Sequence, residues 1–301
     1  MTEKKNGLTF CGPVLYNMYR GYLQGNRHRK PTDRKPTNFK GADRMLKIER
    51  QNLIDQELRK AGYVLVPGLS EMLHCSEETV RRDLREMETA GKLVRTHGGA
   101  YLVEKYDKGY PIELRKSYLQ HTKERMAAAA VSVIQENDMV MLDSSTTCLT
   151  IAEAILTLDL TVTLITNSLA ICNLFADRNS NVNLVGIGGV FRRRTSSFAD
   201  PNTVEALHRF YADKVFISCP KLSAEHGLSD NHISEANVRR QMLKSAKMKI
   251  LVVDHTKFEG TANHLFEGLE DVDLVITDQR VPESFEVFAA RRQIRILVTP
   301  D

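Results

Sequence analysis

Three features are scarce or missing in this sequence of 301 residues, and each absence excludes a class of protein. No run of about 18 apolar residues occurs, so no membrane-spanning helix is predicted. The N-terminus lacks an apolar segment before a small-residue cleavage site, so no secretory signal is predicted. The five cysteines are scattered and never form a CxxC pair, which excludes a disulfide framework and a cysteine-based zinc site. We therefore expect a cytoplasmic protein with reduced thiols, no bound metal and no cofactor.

Positive charge is unevenly distributed along the chain. Residues 1–45 contain ten Lys or Arg and three Asp or Glu, a net +7, against +4 for the whole chain, so the other 256 residues carry −3. Turn formers without apolar periodicity predict that residues 1–44 are a basic, disordered extension. Two interpretations remain open. The extension is either an arm that adds nonspecific phosphate contacts, or a dispensable tail from an upstream start codon, because Met45 opens a well-patterned helix.

The length predicts about two domains, and residues 45–103 have the pattern of the first. The segment MLKIERQNLIDQELRKAG has apolar residues at helical spacing and ends at Gly62, a helix C-terminal signal. After YVLVP, a brief helix in GLSEMLHCS is followed by a four-residue connection and a third helix capped by Ser76. LVRTHGGAYLV predicts two short strands around a Gly98-Gly99 turn. This order of elements is that of a winged helix-turn-helix.

The third helix, in SEETVRRDLREMETAG, contains two adjacent arginines that point in different directions. Val80, Leu84 and Met87 recur at i, i+4 and i+7 and define its buried stripe. At 100° per residue, Arg82 lies about 200° from Val80, on the outward face, whereas Arg81 lies on the flank at about 100°.

Two interpretations of this outward face compete. Glu77–Arg81 and Glu78–Arg82 are i,i+4 pairs worth about 0.2–0.5 kcal/mol each, so the arginines could simply neutralise the glutamates. Alternatively, the helix enters a major groove while the basic hairpin contacts the flanking backbone. Asp83, near the buried edge, is expected to support the fold. The residues predicted to contact double-stranded DNA are Ser76, Glu78, Thr79, Arg81, Arg82, Arg85, Arg95 and His97.

Beyond a linker predicted at residues 104–117, residues 118–301 alternate strand-like and helical segments. The strand-like runs are MVMLD, TVTLIT, NVNLVGI, KVFISC, KILVVD, DLVITD and RILVT. This alternation predicts an α/β domain with a mainly parallel sheet, and the short apolar strands predict burial on both faces.

Polar clusters follow several of these strands, at the edge where open parallel sheets bind ligands. Each cluster alone is more often a helix cap or a solvated surface group. Four clusters at equivalent places favour a small phosphorylated ligand, because hydroxyls and helix N-termini bind anions. The predicted effector-binding residues are Asp143, Ser144, Ser145, Thr146, Thr147, Asn167, Gly188, Gly189 and Lys257.

The stretch VPGLSEMLHCSEETVRRDLREMETAGKLVRTHGGA resembles the N-terminal signature of DeoR-type bacterial transcription regulators. The matching positions are Leu69-Ser70, Ser76, Thr79, Arg81-Arg82-Asp83-Leu84, Gly91, Arg95 and His97-Gly98-Gly99-Ala100. The resemblance implies that Arg81, Arg82 and neighbouring polar residues lie at DNA.

The second region resembles the effector domain of the same family. The matching positions are Asp143 with Thr146-Thr147, Thr166-Asn167-Ser168, Gly188-Gly189, Asp213, Gly227-Leu228 and Asp254 with Lys257-Phe258. The resemblance implies a fold similar to ribose-5-phosphate isomerases and a sugar-phosphate ligand. It also implies that the 143–147 loop and Lys257 hold the phosphate, and that Asn167 and Gly188-Gly189 line the pocket.

Three positions depart from the family pattern. Ser145, Asp200 and Ser218 stand where the family usually has glycine, which lets a ligand approach the backbone. A carboxylate at Asp200 would repel an anion. The pocket is therefore altered, its ligand is unusual, or Asp200 points away.

The sequence thus predicts a DNA-binding regulator of carbohydrate metabolism, a repressor released by a phosphorylated sugar, rather than an enzyme. Because one small head contacts few base pairs, a homodimer or homotetramer is expected. The alternative is a sugar-phosphate isomerase-like enzyme with an appended basic head, in which Asp143, Asp213 or Lys257 would act at the sugar carbon.

Overall fold

The computed structural model describes residues 45–102, 112–258 and 260–300. The predicted extension at residues 1–44 and most of the predicted linker therefore lie outside the described residues. The chain divides into two compact units, the N-terminal unit ending at Gln120 and the C-terminal unit beginning at His121.

The N-terminal unit is a winged helix-turn-helix, as predicted. The elements are α1 (Lys47–Ala61), β1 (Tyr63–Leu65), α2 (Val66–Met72), α3 (Glu77–Thr89), β2 (Val94–Arg95), β3 (Gly99–Tyr101) and α4 (Ile112–Ser117). Strands β1 and β2 each pair antiparallel with β3, so the wing is a three-stranded sheet rather than the expected two-stranded hairpin. The added strand comes from the segment YVL directly after the first helix.

Local signals set the ends of α1 and α3. Gly62 ends α1 with φ 88°, a left-handed conformation that glycine adopts without steric cost, and its N–H donates to the Leu58 carbonyl. Ser76 caps α3, and its hydroxyl accepts a hydrogen bond from the Thr79 N–H at 3.2 Å. The stripe of Val80, Leu84 and Met87 is buried, as the helical wheel predicted.

An ion pair joins α1 to α3. The Asp83 carboxylate is fully buried and accepts from Arg50 Nε at 2.7 Å and from Arg50 Nη2 at 3.2 Å. Arg50 also donates to the Met45 carbonyl at 2.9 Å. Asp83 therefore fixes the crossing of the two helices, in agreement with the supporting role predicted for it.

Residues 112–117, which were assigned to the linker from the sequence, form helix α4. Leu114 of α4 is 2% exposed. A Cβ on Gly99 would lie 2.8 Å from Leu114 Cδ2 and 1.9 Å from the Val64 carbonyl oxygen. Strands β1 and β3 and helix α4 therefore meet at this glycine. The rings of His97 and Tyr118 lie 5.0 Å apart. This burial is a tertiary contact, and no local pattern in six residues could predict it.

The C-terminal unit is a three-layer α/β structure built on a seven-stranded sheet. The sheet strands are β4 (Met139–Leu142), β5 (Val162–Thr166), β6 (Val182–Gly186), β9 (Ala212–Ile217), β12 (Ala246–Val252), β14 (Leu274–Thr277) and β15 (Arg295–Val298). The sheet is entirely parallel, in the order β15-β14-β12-β9-β4-β5-β6.

Helices cover both faces of this sheet, and small antiparallel strands accompany it. The helices are α5 (Gln120–Val131), α6 (Thr146–Thr157), α7 (Leu169–Ala176), α8 (Pro201–Leu207), α9 (Ile233–Lys244) and α10 (Glu283–Arg292). The remaining strands are the pair β7 (Phe191–Arg192) and β8 (Ser197–Phe198) and the three-stranded set β10 (Lys221–Ser223), β11 (Gly227–Asp230) and β13 (His264–Glu267).

Alternate strand residues enter two separate cores. In β4, Val140 and Leu142 pack with α5, α6 and α7, whereas Met141 packs with α8, α9 and α10. Since successive side chains of a strand point to opposite faces, burial on both sides requires the unbroken apolar runs seen in the sequence. The predicted parallel sheet is confirmed. The predicted burial on both faces holds for its inner strands, whereas the edge strands β6 and β15 contain no fully buried residue.

We expect Asp83→Ala to lower the free energy of unfolding of the N-terminal unit by about 3 kcal/mol. The reason is that the mostly buried guanidinium of Arg50 would lose its carboxylate partner. Hydrogen exchange of the α3 amides in the full chain measures this. Asp55→Ala is the control. Its partner Arg59 is 72% exposed, so the loss should be about 0.5 kcal/mol or less. Equal losses for the two variants would contradict the supporting role of Asp83.

Candidate functional site

The predicted DNA-contacting residues lie along α3 and the wing. Arg82 and Arg85 are exposed on the outward face of α3, opposite its buried stripe. Ser76, Glu78 and His97 are also exposed, and Thr79, Arg81 and Arg95 are half-buried.

The two adjacent arginines have different surroundings. Arg81 donates to Glu77 at 2.9 Å and to the His97 carbonyl at 2.8 Å, which ties α3 to the wing. The Arg82 side chain forms no hydrogen bond or ion pair with another described residue, and neither does the Glu78 side chain. The charge of Arg82 contributes to lowering the pKa of the Glu86 carboxyl one turn further along α3. Of the two i,i+4 pairs considered from the sequence, only Glu77–Arg81 forms. Of the two adjacent arginines, Arg82 is therefore the one whose guanidinium is available to contact a partner.

Arg95 supports the wing from the other end of α3. Its Nε lies 2.7 Å from Glu88 Oε2, and its backbone N–H donates to Glu88 Oε1 at 3.0 Å. The Arg95 hydrogen bonds lower the pKa of the Glu88 carboxyl below its ordinary value. Arg95 thus orders the wing in addition to any contact that it makes with a partner.

The loops at the carboxyl edge of the sheet meet at its switch point. The chain leaves β4 in one direction towards β5 and β6, and later returns to the other side through β9. In such sheets the crevice at this point is where ligands bind. Asp143 follows β4 and Ser218 follows β9, and the Ser218 N–H donates to the Asp143 carboxylate at 3.0 Å across the switch point.

Asp143 organises its own loop. The carboxylate is 1% exposed and also accepts from the Ser145 N–H at 2.8 Å and from Arg239 Nε at 2.8 Å. Burial alone would raise the pKa of Asp143, but Arg239 and these donors hold it below its ordinary value. An aspartate paired in this way shapes the site and is not a free base.

The rest of the 143–147 loop forms the start of α6. Ser145 caps this helix by accepting from the Cys148 N–H at 3.0 Å, and its φ of −73° is open to any residue. Glycine is therefore not needed here. Thr146 and Thr147 occupy the first two helical positions, whose N–H groups have no partner within a helix. The Ser144 hydroxyl donates to Glu235 at 3.2 Å.

Sequence reasoning missed a buried charged cluster beneath this loop. Arg239 of α9 is 5% exposed and pairs with Asp143 and Asp230, while Glu235 lies 3.8 Å from it. A signal existed in ISEANVRRQML. Glu235 and Arg239 are spaced i,i+4 in line with the apolar Met242, so a charged pair shares the apolar face of the helix.

Glu235 connects this cluster to the β7–β8 hairpin. Its Oε1 accepts from the hydroxyls of Thr195 and Ser197, both at 2.8 Å, and lies 3.3 Å from Arg192. Burial opposes ionisation of Glu235, but Arg239 and these hydroxyls lower its pKa below the ordinary value. One carboxylate thereby joins the hairpin, α9 and the loop after β4.

Asn167 faces the same hairpin. Its side chain is 1% exposed, and Nδ2 donates to the Phe198 carbonyl at 2.8 Å. Its Oδ1 is buried and has no hydrogen-bond partner among the described residues. A buried acceptor without a partner costs about 1–3 kcal/mol, so it marks a place where a donor is expected.

Gly188 and Gly189 approach the start of α8. Gly189 has φ 144°, and a Cβ there would lie 2.1 Å from Thr203 Oγ1 and 2.2 Å from Asp200 Oδ1. Asp200 caps α8 by accepting from the Thr203 N–H at 3.0 Å, and the Thr203 hydroxyl and N–H hold its pKa low. The aspartate at this position thus has a capping role that glycine lacks.

Lys257 lies in a 3-10 turn, His255–Lys257, after β12. Its ammonium is 3.8 Å from Asp254 Oδ2, and its side chain is 27% exposed. Burial raises the pKa of the Cys219 thiol after β9 to about 12, while the charges of Arg239 and Lys257 act to lower it. The Cys219 thiol is therefore neutral at pH 7, and both cations lie near enough to it to act on its pKa.

The described residues contain no group of His, Cys, Asp or Glu side chains that could hold a metal ion. None of the helices in these residues has the length and apolar character needed to cross a membrane.

A winged helix-turn-helix joined to a doubly wound α/β domain defines a class of DNA-binding regulators that respond to a ligand. The DeoR-like helix-turn-helix domain matches residues 50–106, and the DeoR C terminal sensor domain matches residues 119–279. The chain belongs to the DeoR family of transcription regulators.

Several transcription regulators are similar to this chain over nearly their whole length. The L-fucose operon activator of Escherichia coli (strain K12) is 31% identical over 78% of this chain and 96% of its own. The transcriptional repressor GlcR of Bacillus subtilis (strain 168) is 29% identical over 85% of this chain and 97% of its own. The regulator IolR of the same strain is 28% identical, with 83% and 99% covered. The chain is therefore a DNA-binding regulator and not an enzyme.

Among solved structures, ribose 5-phosphate isomerase from Plasmodium falciparum matches with a TM-score of 0.34 and 14% identity, covering 48% of this chain and 53% of that one. This likeness is too distant to support an argument about activity.

The buried carboxylates predict a specific response to acid. Because the pKa of Asp143 is lower in the folded state, its contribution to stability is complete above its unfolded value of about 4 and is lost as pH falls below it. Asp143→Asn should lower stability at pH 7 by about 3 kcal/mol and flatten the loss of stability as pH falls below about 4, the ordinary pKa of the carboxyl. Thermal unfolding across pH measures both.

The exposed Asp177 provides the control for this measurement. Asp177→Asn should leave both the stability at pH 7 and its acid dependence close to those of the wild type. An unchanged acid slope in Asp143→Asn would show that Asp143 does not carry the linkage.

Proposed function

We propose that this protein is a repressor of carbohydrate-metabolism genes and that a phosphorylated sugar releases it from its operator. The observation that carries the proposal is the exposed, unpaired Arg82 on the outward face of α3, in a chain that also carries a sensor domain. The relatives include a regulator whose name refers to an L-fucose operon, which supports a carbohydrate role.

In the proposed complex, α3 enters the major groove of double-stranded DNA. Arg82 and Arg85 face the base edges, since a guanidinium suits the two acceptors of guanine. Ser76 and Thr79 at the helix start suit backbone phosphates, because hydroxyls and helix N–H groups bind anions. Glu78, one turn before Arg82, either accepts from a cytosine amino group or orients that arginine.

The wing contacts the backbone beside the groove. His97 at its tip is exposed, while Arg81 and Arg95 are already held by Glu77 and Glu88. We therefore infer that Arg81 and Arg95 hold the wing against α3 and contact phosphates, and that they do not recognise bases. Phosphate contacts position the protein without specifying sequence.

The proposed effector site is the start of α6 at the switch point of the sheet. The N–H groups of Thr146 and Thr147, the Ser145 hydroxyl and the Lys257 ammonium suit a phosphate. The Ser144 hydroxyl joins them in this proposal by turning its O–H from Glu235 to the ligand. The unpartnered Oδ1 of Asn167 suits a donating hydroxyl of the sugar. Gly188 and Gly189 line the pocket next to the start of α8.

Effector binding acts by shifting a population between two arrangements. The effector must bind the released arrangement more tightly, because equal affinity for both would shift nothing. Two heads on a homodimer or homotetramer would match two half-sites in only one arrangement. A regulator that contacts genomic DNA works in the cytoplasm, so the proposed function includes a cytoplasmic location.

Arg82→Ala should weaken binding to the specific operator by about 10- to 100-fold, the discrimination of a bidentate base contact, while stability changes by less than about 0.5 kcal/mol because the side chain is exposed. Fluorescence anisotropy with an operator selected from genomic fragments, repeated across salt concentrations, measures the affinity. Arg59→Ala, an exposed arginine on α1, is the control. Failure of the wild type to prefer any genomic fragment would refute DNA regulation.

A panel of sugar phosphates should raise the melting temperature of the wild type, and Lys257→Ala should abolish the rise. The physical reason is the loss of the only cation assigned to the phosphate, and differential scanning fluorimetry measures the effect. Lys247→Ala, an exposed lysine on β12, should keep the full rise. If Lys257→Ala kept the rise in melting temperature, Lys257 would not hold the phosphate. If no sugar phosphate raised the melting temperature of the wild type, the proposed effector class would be wrong.

A further inference from the structure

A groove of about 390 Å³ opens between α8 and α9 and has walls of opposite charge. Asp200 and Glu205 stand on the α8 side, and Arg240 and Lys244 stand on the α9 side. The DNA and effector sites proposed above leave the groove itself unused.

The charges of this groove are not neutralised across it. Glu205 and Lys244 are exposed, and neither forms an ion pair with another described residue. Arg240 donates to the carbonyl oxygens of Leu265 and Phe266, so it keeps its positive charge without a carboxylate partner. Each wall therefore presents one sign of charge to an incoming surface.

Two exposed apolar residues adjoin lining residues of the groove, one as a chain neighbour and one through a hydrogen bond. Ile233, next to the lining residue Ser234, is 51% exposed, and Leu265, whose carbonyl binds Arg240, is also 51% exposed. A small ligand in the groove would leave these side chains in water, whereas a protein surface would cover them. The combination of charged walls and an apolar rim suits a macromolecular partner.

We infer that this groove is the face through which two copies of the chain associate. A two-fold axis that runs along the groove brings the acidic α8 side of one copy against the basic α9 side of the other, twice. A patch with both signs on opposite walls is complementary to itself in this arrangement. The inference specifies the surface behind the oligomer that the proposed function includes.

Single charge reversals test the face. Glu205→Lys and Lys244→Glu each place like charges opposite one another at two symmetric positions of the dimer, so each should weaken dimerisation by about tenfold or more. Sedimentation equilibrium of the full chain measures the dissociation constant, and circular dichroism verifies that each variant is folded. Glu136→Lys makes the same charge change at an exposed position elsewhere and should leave dimerisation unchanged.

Mixing the two single variants gives the decisive measurement. In a mixed dimer, the substituted position 205 of one copy faces the substituted position 244 of the other, so opposite charges meet there with their signs exchanged. The second contact joins the unchanged Lys244 of the first copy to the unchanged Glu205 of the second. The mixture should therefore dimerise with nearly wild-type affinity, although each variant alone does not. Charge effects confined within one chain could not produce this recovery.

The outcomes separate the two proposals. A wild-type oligomer that neither reversal weakens, or a mixture without recovery, would overturn the α8–α9 face and leave the oligomer and DNA binding standing. A wild-type chain that stays monomeric at tens of micromolar would overturn both the face and the oligomer. Stabilisation of the wild type by a small zwitterion, lost in Glu205→Lys without any change in association, would assign the groove to a ligand instead.

Discussion

The buried ion pair between Arg239 and Asp143 is the interaction on which the carboxyl edge of the sheet depends. A charge removed from water is tolerated only with a partner and enough hydrogen bonds. Asp143 meets this requirement with Arg239, the Ser145 N–H and the Ser218 N–H. Each of these partners belongs to a different position in the sequence, so the requirement fixes the loops after β4 and β9 and the orientation of α9 together.

A second buried ion pair fixes the packing of two helices in the N-terminal unit. Arg50 and Asp83 hold α1 against α3, which settles the rotation of α3 about its axis. Once that rotation is set by the buried stripe and by Asp83, the outward direction of Arg82 follows from helical geometry. Arg81, only one residue away, is rotated by about 100° and joins Glu77 and the wing instead.

Two of the departures from the family pattern have a common local explanation. Ser145 and Asp200 both stand at helix N-caps, where their side chains accept from the backbone N–H three residues later. Side-chain oxygens at caps typically contribute about 0.5–2 kcal/mol. Substituting glycine by a capping residue therefore gains helix stability, and the carboxylate of Asp200 is engaged at its own helix rather than free to repel an anion.

The sequence by itself determined the order of the three helices and the hairpin in the N-terminal unit, the C-terminal end of α1, the start of α3, the buried stripe of α3 and the parallel sheet, because these follow from periodicity and local capping. Only the tertiary structure decided that β1 joins the wing, that Ile112–Ser117 form a helix under it, and that Arg239, Glu235 and Asp230 lie beneath the 143–147 loop. These contacts join residues that lie far apart along the chain, so no local window contains their cause. The direction of Arg82 needed both, since the helical period gives its angle and the packing of α1 on α3 leaves that side open.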